Sequence, residues 1–280
     1  MTDAAPGGRT DAVDRRMLAG LIALDVDGTV LLEDETPSPG VVDAVAAAVE
    51  AGHEVTLATG RSWGGTHRVI ELLGIRPEFV VCANGAVIMR RGGDEFGYSR
   101  WRVETFDPST VLGLLQAELP DAHYMVELAD GHRLFTDEAV GWNLDGGEQV
   151  AFERLAAEPV SRIVVVDPGS SDADFLAMTE RIGLHSVSYA IGWTAWLDIA
   201  PHGVDKSSAL EIVRAELAVE GSDVLVMGDG RNDLGMFAWA RDAGGRAVAM
   251  AQGPQEVRDA ASAVTLSVEV GGVAEVLRAL

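Results

Sequence analysis

The sequence has little of several features that define common protein classes. It has a single cysteine, so an intrachain disulfide is excluded, and the apolar surroundings of Cys82 predict a buried thiol. No apolar run approaches the ~20 residues of a membrane span. The polar N-terminal segment lacks the apolar region of a signal peptide. We therefore expect a cytoplasmic protein without a membrane partner.

Positive charge is also scarce. The 280 residues include 21 Lys and Arg against 44 Asp and Glu, which gives a net charge of −23. An acidic surface repels nucleic acid, so we expect no nucleic-acid partner, and an anionic ligand would need local positive charge. Solubility and salt tolerance account for the acidic excess equally well. The composition does not indicate an oligomeric state.

The most informative features that the sequence does contain are two acidic turns, each of which follows an apolar run. Residues 25–29 have the sequence DVDGT and follow the predicted strand at 21–24, while residues 228–233, GDGRND, follow the apolar run 224–227. In open α/β sheets, ligands bind outside the carboxyl ends of the strands. Asp and Gly also form ordinary turns, but two such turns at one sheet edge favour a shared site for a hard cation such as Mg²⁺.

Two further elements supply positive or hydrogen-bonding groups. Thr59, Gly60 and Arg61 follow the predicted strand at 54–58, where a hydroxyl and the N–H groups at a helix start suit a phosphate. Lys206 begins an amphipathic helix, where a cation opposes the helix dipole. That position is more reasonable if Lys206 faces carboxylates and a phosphate than if it is an ordinary surface lysine.

These four elements, in this order, resemble the haloacid dehalogenase-like (HAD) hydrolase superfamily. Its motifs are DxDGT, a Ser or Thr after a strand, a Lys, and GDxxND, and all four are matched here. The segment 201–206, the long insertion before it and Asn84-Gly85 resemble the Cof-type subgroup. The chain departs from that subgroup at 267–273, which lacks the usual Asn and Asp, and at Gln252, where Asn is frequent. Because of these departures, the resemblance is weaker evidence for the substrate than for the type of reaction.

The resemblance implies a Mg²⁺-dependent phosphatase that acts on small phosphorylated metabolites, sugar phosphates above all, through an aspartyl-phosphate. It implies catalytic roles for Asp25 as nucleophile, Asp27 as general acid and base, and Lys206. The implied phosphate and substrate contacts are Thr59, Gly60, Arg61, Asn84, Lys206 and Asn232. The implied metal site comprises Asp25, Asp27 through its backbone carbonyl, Asp229, and Asp233 in a supporting position. Arg61 remains ambiguous between a substrate contact and a solvated helix-start residue.

Two alternatives remain open at this point. A phosphomutase or phosphotransferase would use a second hydroxyl in place of water, and nothing in the sequence excludes it. A ligand-binding member of the fold without turnover is disfavoured by the intact set of Asp25, Asp27, Lys206 and Asp229.

Alternating strand and helix patterns predict an α/β fold with a doubly wound, mostly parallel sheet. The predicted core, Rossmann-like by resemblance, comprises residues 19–90 and 193–280, including a strand at 196–199. Residues 1–18 are predicted to be a disordered tail. Residues 91–192 are predicted to form an inserted α+β cap of the C2 type, with a hairpin around Asp130-Gly131 and a helix at 172–182. A cap that closes over the site would exclude water and select the substrate.

Overall fold

The computed structural model describes residues 20–138, 144, 146–167, 178, 187–191 and 196–280, with the backbone alone at 189–191. The predicted tail at 1–18 lies outside these residues. The helix predicted at 172–182 also lies outside them, apart from Met178.

Strands and helices alternate through most of the chain. In order, they are β1 (Leu21–Leu24), α1 (Val41–Glu50), β2 (Glu54–Leu57), α2 (Trp63–Leu73), β3 (Phe79–Cys82), β4 (Val87–Glu95), β5 (Tyr98–Val103), α3 (Ser109–Glu118), β6 (His123–Leu128), β7 (Arg133–Phe135), β8 (Glu148–Gln149), β9 (Val160–Val166), β10 (Val187–Ile191), β11 (Trp196–Pro201), α4 (Lys206–Leu217), β12 (Val224–Gly228), α5 (Leu234–Asp242), β13 (Arg246–Ala249), α6 (Gln255–Ala260), β14 (Ala263–Val264) and α7 (Gly272–Leu277).

The central sheet is parallel and has the strand order β14-β13-β12-β1-β2. A parallel bridge between Ala58 and Val81 adds β3 next to β2, and β3 continues into an antiparallel sheet with β4 and β5. Alternate residues of β1 point to opposite faces, because side chains in a strand alternate. Leu24 packs with α1, α2 and α7, whereas Ala23 packs with α4, α5 and α6. The predicted doubly wound α/β core is confirmed.

A second sheet is built almost entirely from the middle of the chain. Its order is β10-β11-β9-β6-β7-β8, and every pairing is antiparallel except that of β7 with β8. The predicted hairpin is present as β6 and β7. One face packs against α3, with Leu112, Leu115, Val165 and Leu197 all buried there. The predicted α+β module beside the core is confirmed.

Two predicted assignments are wrong at the junctions between the sheets. The strand predicted at 196–199 was assigned to the core, but β11 pairs with β9 and β10 in the second sheet. The domain boundary predicted between residues 90 and 91 falls inside β4. Apolar alternation indicates a strand but not which sheet it joins, so the sequence could not separate these cases. We propose that the inserted domain runs from the end of β5 to the end of β11, rather than over 91–192.

Among the described residues, no helix combines the length and the apolar character needed to cross a membrane.

The two acidic turns follow the core strands β1 and β12. Their carboxylates therefore lie at one edge of the parallel sheet.

Candidate active site

The carboxyl ends of β1, β2 and β12 lie side by side at one edge of the core sheet. Leu24 is in register with Leu57 on one side and with Met227 on the other. The N–H of Asp25 donates to the carbonyl of Met227 over 2.9 Å, which extends this register into the turn. The two acidic turns and the Thr59 turn therefore emerge next to one another, as the sequence predicted.

Three buried carboxylates converge at this edge around one lysine. Asp25, Asp229 and Asp233 each offer an oxygen, and these oxygens lie within 4.8 Å of one another. Lys206 Nζ donates to Asp25 Oδ1 at 2.5 Å and to Asp233 Oδ1 at 2.6 Å. Asp205 caps the first turn of α4 through the N–H of Ser208, 2.9 Å away, which fixes where Lys206 begins the helix.

Burial and mutual repulsion dominate the electrostatics of this carboxylate cluster. Burial, reinforced by the neighbouring carboxylates, raises the pKa of Asp25 well above its usual value despite the opposing effect of Lys206. Burial and the charge of Asp233 raise the pKa of Asp229 to about 7. Burial alone lowers the pKa of Lys206, but Asp233 and Asp25 raise it above its ordinary value, so the ammonium stays charged.

The carboxylate cluster fits a divalent cation. When all three carboxylates are ionised, the single Lys206 leaves an excess of two negative charges. Hard oxygen donors are the ligands that Mg²⁺ prefers. Asp233 Oδ2 already accepts the N–H groups of Asp229 and Gly230, each at 2.9 Å, and Oδ1 binds Lys206. Asp25 and Asp229 are therefore the better candidate ligands, and Asp233 better fits a supporting position.

Asp27 has different surroundings from Asp25, although only one residue separates them. Its side chain is 61% exposed and lies outside the carboxylate cluster. Arg61 clamps it, with Nη2 at 2.5 Å from Oδ1 and Nε at 3.0 Å from Oδ2. Arg61 also pairs with Glu35, with 3.0 Å between Nη1 and Oε1. Arg61 is thus held at the site by carboxylates, which argues against the alternative of a freely solvated helix-start residue.

The predicted phosphate contacts form a second group beside the carboxylate cluster. Thr59 is fully buried and its Oγ1 accepts the N–H of Arg61 over 3.1 Å, so this turn is folded around the threonine. Asn84 Oδ1 accepts from Asn232 Nδ2 at 3.1 Å. Asn84 has φ 49° and ψ 33°, a left-handed conformation that Asn adopts more readily than most residues and that clusters at functional sites.

The structure also brings three residues to the site that were not among the predicted site residues. Gln252 Nε2 donates to Asp229 Oδ2 at 3.2 Å and to the Gly28 carbonyl at 2.5 Å, so it braces both acidic turns. Arg162 and Asp198, from β9 and β11, contact Gly60 and Asn84. The departure of Gln252 from the subgroup pattern was a sequence signal that could have drawn attention to it. Arg162 and Asp198 gave no such signal, because the sequence did not show where their strands lie.

We expect the metal-free protein to lose stability as the pH rises from about 4 to about 7. Asp25 and Asp229 have raised pKa values, so over this range they hold protons in the fold that the unfolded chain has released. Stability is therefore greatest below the unfolded pKa and is lost as the pH rises through the folded pKa, which is about 7 for Asp229. Mg²⁺, which binds the ionised form, should raise Tm more at about pH 8 than at about pH 5.

Thermal unfolding at these two pH values, with and without Mg²⁺, measures this effect. The Asp229→Asn variant should show a weaker pH dependence and a smaller Mg²⁺ shift, while Asp43→Asn, on the exposed side of α1, serves as the control. An equal Mg²⁺ shift at both pH values would contradict the assignment.

Comparison with known proteins agrees with this geometry. The sequence model of the haloacid dehalogenase-like hydrolases matches residues 22–277. The putative phosphatase YxeH of Bacillus subtilis (strain 168) is 28% identical, with 93% of this chain and 97% of the relative covered. Pyridoxal phosphate phosphatase YbhA of Escherichia coli (strain K12) is 27% identical, with 89% and 93% covered. A haloacid dehalogenase-like hydrolase structure from B. subtilis superposes with a TM-score of 0.75 at 22% identity, covering 93% and 99%.

With its core sheet, its inserted second sheet and a family match over nearly its whole length, the chain belongs to the haloacid dehalogenase-like hydrolases. Within that family the comparisons support a phosphoric monoester hydrolase of the Cof type. The predicted family, subgroup and enzyme class are confirmed.

Proposed function

We propose that this protein is a Mg²⁺-dependent phosphatase that hydrolyses small phosphorylated metabolites through an aspartyl-phosphate on Asp25. The observation that carries the proposal is the contrast between two neighbouring carboxylates. Asp25 is buried and bonded to Lys206, whereas Asp27 is exposed and bonded to Arg61. Carboxylates in distinct environments can take different roles in one reaction.

In the first step, an Asp25 carboxylate oxygen attacks phosphorus, and the bond from phosphorus to the leaving oxygen breaks. Asp27 gives its proton to that oxygen, so the alcohol leaves neutral. The Lys206 ammonium and the Thr59 turn hold the phosphoryl oxygens, and Asn232 orients Asn84 beside them. Covalent catalysis of this kind divides one difficult displacement into two easier ones.

In the second step, Asp27 takes a proton from water, and the resulting hydroxide attacks the aspartyl-phosphate. Inorganic phosphate leaves and Asp25 is restored. Asp27 can serve both steps because its side chain faces solvent at the mouth of the site. A Mg²⁺ ion held by Asp25 and Asp229, and by the Asp27 carbonyl as the resemblance implies, would supply charge neutralisation between the nucleophile and the phosphate.

A cavity beside Lys206 supports a small polar substrate. It has a volume of about 320 Å³ and lies between the second sheet and the core. Polar or charged residues and apolar residues both line it, the first including Asn84, Ser188, Asp198, Lys206 and Asn232 and the second Val187, Ala200 and Val204. This volume is at the low end for ligand sites, and side chains that donate and accept hydrogen bonds suit hydroxyl groups. We therefore place sugar phosphates first among the candidate substrates, in a cytoplasmic setting.

Assays of phosphate release from a panel of phosphomonoesters with Mg²⁺ test this function. The panel should include sugar phosphates and pyridoxal phosphate, and each reaction should be repeated with an added polyol acceptor. Phosphate release that follows alcohol release mole for mole supports a hydrolase. Transfer of the phosphoryl group to the acceptor would favour the phosphotransferase or mutase alternative, and no turnover on any member would favour the non-catalytic one.

We expect Asp27→Asn to slow hydrolysis by roughly 10²–10⁴-fold, the usual contribution of general acid and base catalysis. An amide can neither protonate the leaving oxygen nor activate water. The loss should be smaller for p-nitrophenyl phosphate, whose leaving group needs little protonation, than for a sugar phosphate. The kcat/KM of each substrate measures this difference, because it includes only the steps up to release of the alcohol, whereas hydrolysis of the shared aspartyl-phosphate limits kcat for both.

Asp34→Asn, in the same exposed loop, is the control and should retain wild-type kcat. An equal loss of kcat/KM on both leaving groups in Asp27→Asn would show that Asp27 does not act as the acid.

A further inference from the structure

Two charged side chains of the second sheet are buried against the turns that hold the phosphate contacts. Arg162 Nη1 donates to the carbonyl of Gly60 and lies 3.4 Å from Asp198 Oδ2. Asp198 Oδ2 in turn accepts from Asn84 Nδ2 at 2.9 Å. Arg162 and Asp198 are only 4% and 6% exposed. Each therefore joins the second sheet to a core residue at the site.

The core turns that these residues contact are also bonded to each other. The N–H of Asn84 donates to the carbonyl of Thr59, and the N–H of Ala83 donates to that of Arg61, both over 2.9 Å. Asn84 Oδ1 accepts from Asn232. The turns that contain Asn84 and Gly60 are thus held by hydrogen bonds within the core. Asp198 and Arg162 of the second sheet bind the same two residues.

Stability alone does not account for these buried charges. Removing ions from water costs several kcal/mol each, and a buried pair repays this only with excellent geometry. Here Arg162 Nε and Glu127 Oε2 are 3.6 Å apart, and neither makes a hydrogen bond within the described part of the chain. Arg162 instead donates to the Gly60 carbonyl, and Asp198 accepts from Asn84 at 2.9 Å. The geometry favours a role in holding those two groups.

We propose that Arg162 and Asp198 are positioning residues for the phosphate-binding turns. Arg162 fixes the Gly60 carbonyl, and therefore the orientation of the adjacent N–H groups, while Asp198 fixes the rotamer of Asn84. The inserted domain then contributes to the chemical step itself and not to substrate choice alone. This proposal rests on the proposed phosphatase function for its kinetic consequences, but its structural content is independent of it.

Three variants test the proposal. Asp198→Asn keeps the side-chain shape and removes the charge, Arg162→Met removes the donor, and Arg162→Lys keeps one charged donor. A displacement of about 1 Å at reacting groups can cost 10²-fold in rate. We therefore expect kcat to fall roughly 10- to 100-fold in Asp198→Asn and Arg162→Met. The fall should be equal for p-nitrophenyl phosphate and for the best metabolite, with partial recovery in Arg162→Lys.

Hydrogen–deuterium exchange supplies a readout that does not depend on activity. Peptides covering 58–62 and 83–86 should exchange faster in Asp198→Asn and Arg162→Met, while peptides from α4 and β1 should not. Arg102→Met is the control, because Arg102 is about half exposed and its Glu104 partner lies 3.9 Å away. It should leave both kcat and exchange unchanged.

The outcomes separate this proposal from the proposed function. Unchanged exchange in 58–62 and 83–86 would overturn the positioning role whatever the kinetics show. So would a loss confined to KM for the metabolite, because that result would assign Arg162 and Asp198 to leaving-group recognition. An inactive wild-type protein would refute the phosphatase proposal, and local exchange changes in the variants would still support positioning.

Discussion

Replacing Asp25 by Asn is expected to lower phosphatase turnover by at least about 10⁴-fold, the scale on which enzymes lose rate when a nucleophile is removed. An amide oxygen is too weak a nucleophile to attack phosphorus and cannot form the acyl-phosphate. The fold should persist, because Lys206 keeps its contact with Asp233 at 2.6 Å. Removal of a buried carboxyl with a raised pKa should, if anything, stabilise the metal-free protein at neutral pH.

Initial rates with p-nitrophenyl phosphate and a saturating metabolite measure the effect of Asp25→Asn. Asp43→Asn, an exposed acid on α1, controls for the loss of one negative charge and should retain full activity. Turnover by Asp25→Asn within tenfold of wild type would rule out Asp25 as the nucleophile. A large fall in Tm would show instead that the residue supports the fold.

Removal of divalent metal is expected to abolish activity as completely as the loss of Asp25. Three carboxylates against one lysine leave a site that repels a phosphate dianion, and Lys206 is already shared between Asp25 and Asp233. In the proposed mechanism, a bound cation would offset this repulsion and bring the nucleophile and the phosphate together. Chelation should therefore stop phosphate release, and excess Mg²⁺ should restore it.

Two controls make the metal experiment specific. Chelator already saturated with Ca²⁺ tests for effects of the reagent itself, and Asp229→Asn should require far more Mg²⁺ for half-maximal activity. Full activity in excess chelator, after dialysis against it, would contradict the metal-dependent account. Activity restored without any added divalent ion would do the same.

Local sequence patterns were sufficient for the framework of the core and for the expectation that the two acidic turns meet at one sheet edge. An apolar run that ends in an acidic glycine turn predicts where a strand ends and where a carboxylate lies. The structure places Asp25 and Asp229 at such strand ends. Parallel strands present their carboxyl ends at one edge, so the meeting of these turns followed from fold class alone. Lys206 could be predicted as a site residue because a cation at the start of a helix opposes the helix dipole, unless nearby carboxylates or a phosphate compensate.

What the sequence could not predict depends on contacts between distant segments. The strand at 196–201 has the same alternation whether it joins the core or the second sheet. Asp198 and Arg162 therefore gave no sign that they reach Asn84 and Gly60. Strand periodicity also treated Asp25 and Asp27 alike, and only packing shows that Lys206 binds the first and Arg61 the second.

Intact-protein mass after rapid acid quenching during turnover tests the central claim most directly. Asp27→Asn incubated with p-nitrophenyl phosphate and Mg²⁺ should accumulate one phosphoryl group, because formation of the intermediate needs little acid and its hydrolysis needs the base. Peptide mapping should place that group on Asp25. Under the same conditions Asp25→Asn should carry none, whereas a phosphoryl adduct on Asp25→Asn would contradict the assignment of the nucleophile.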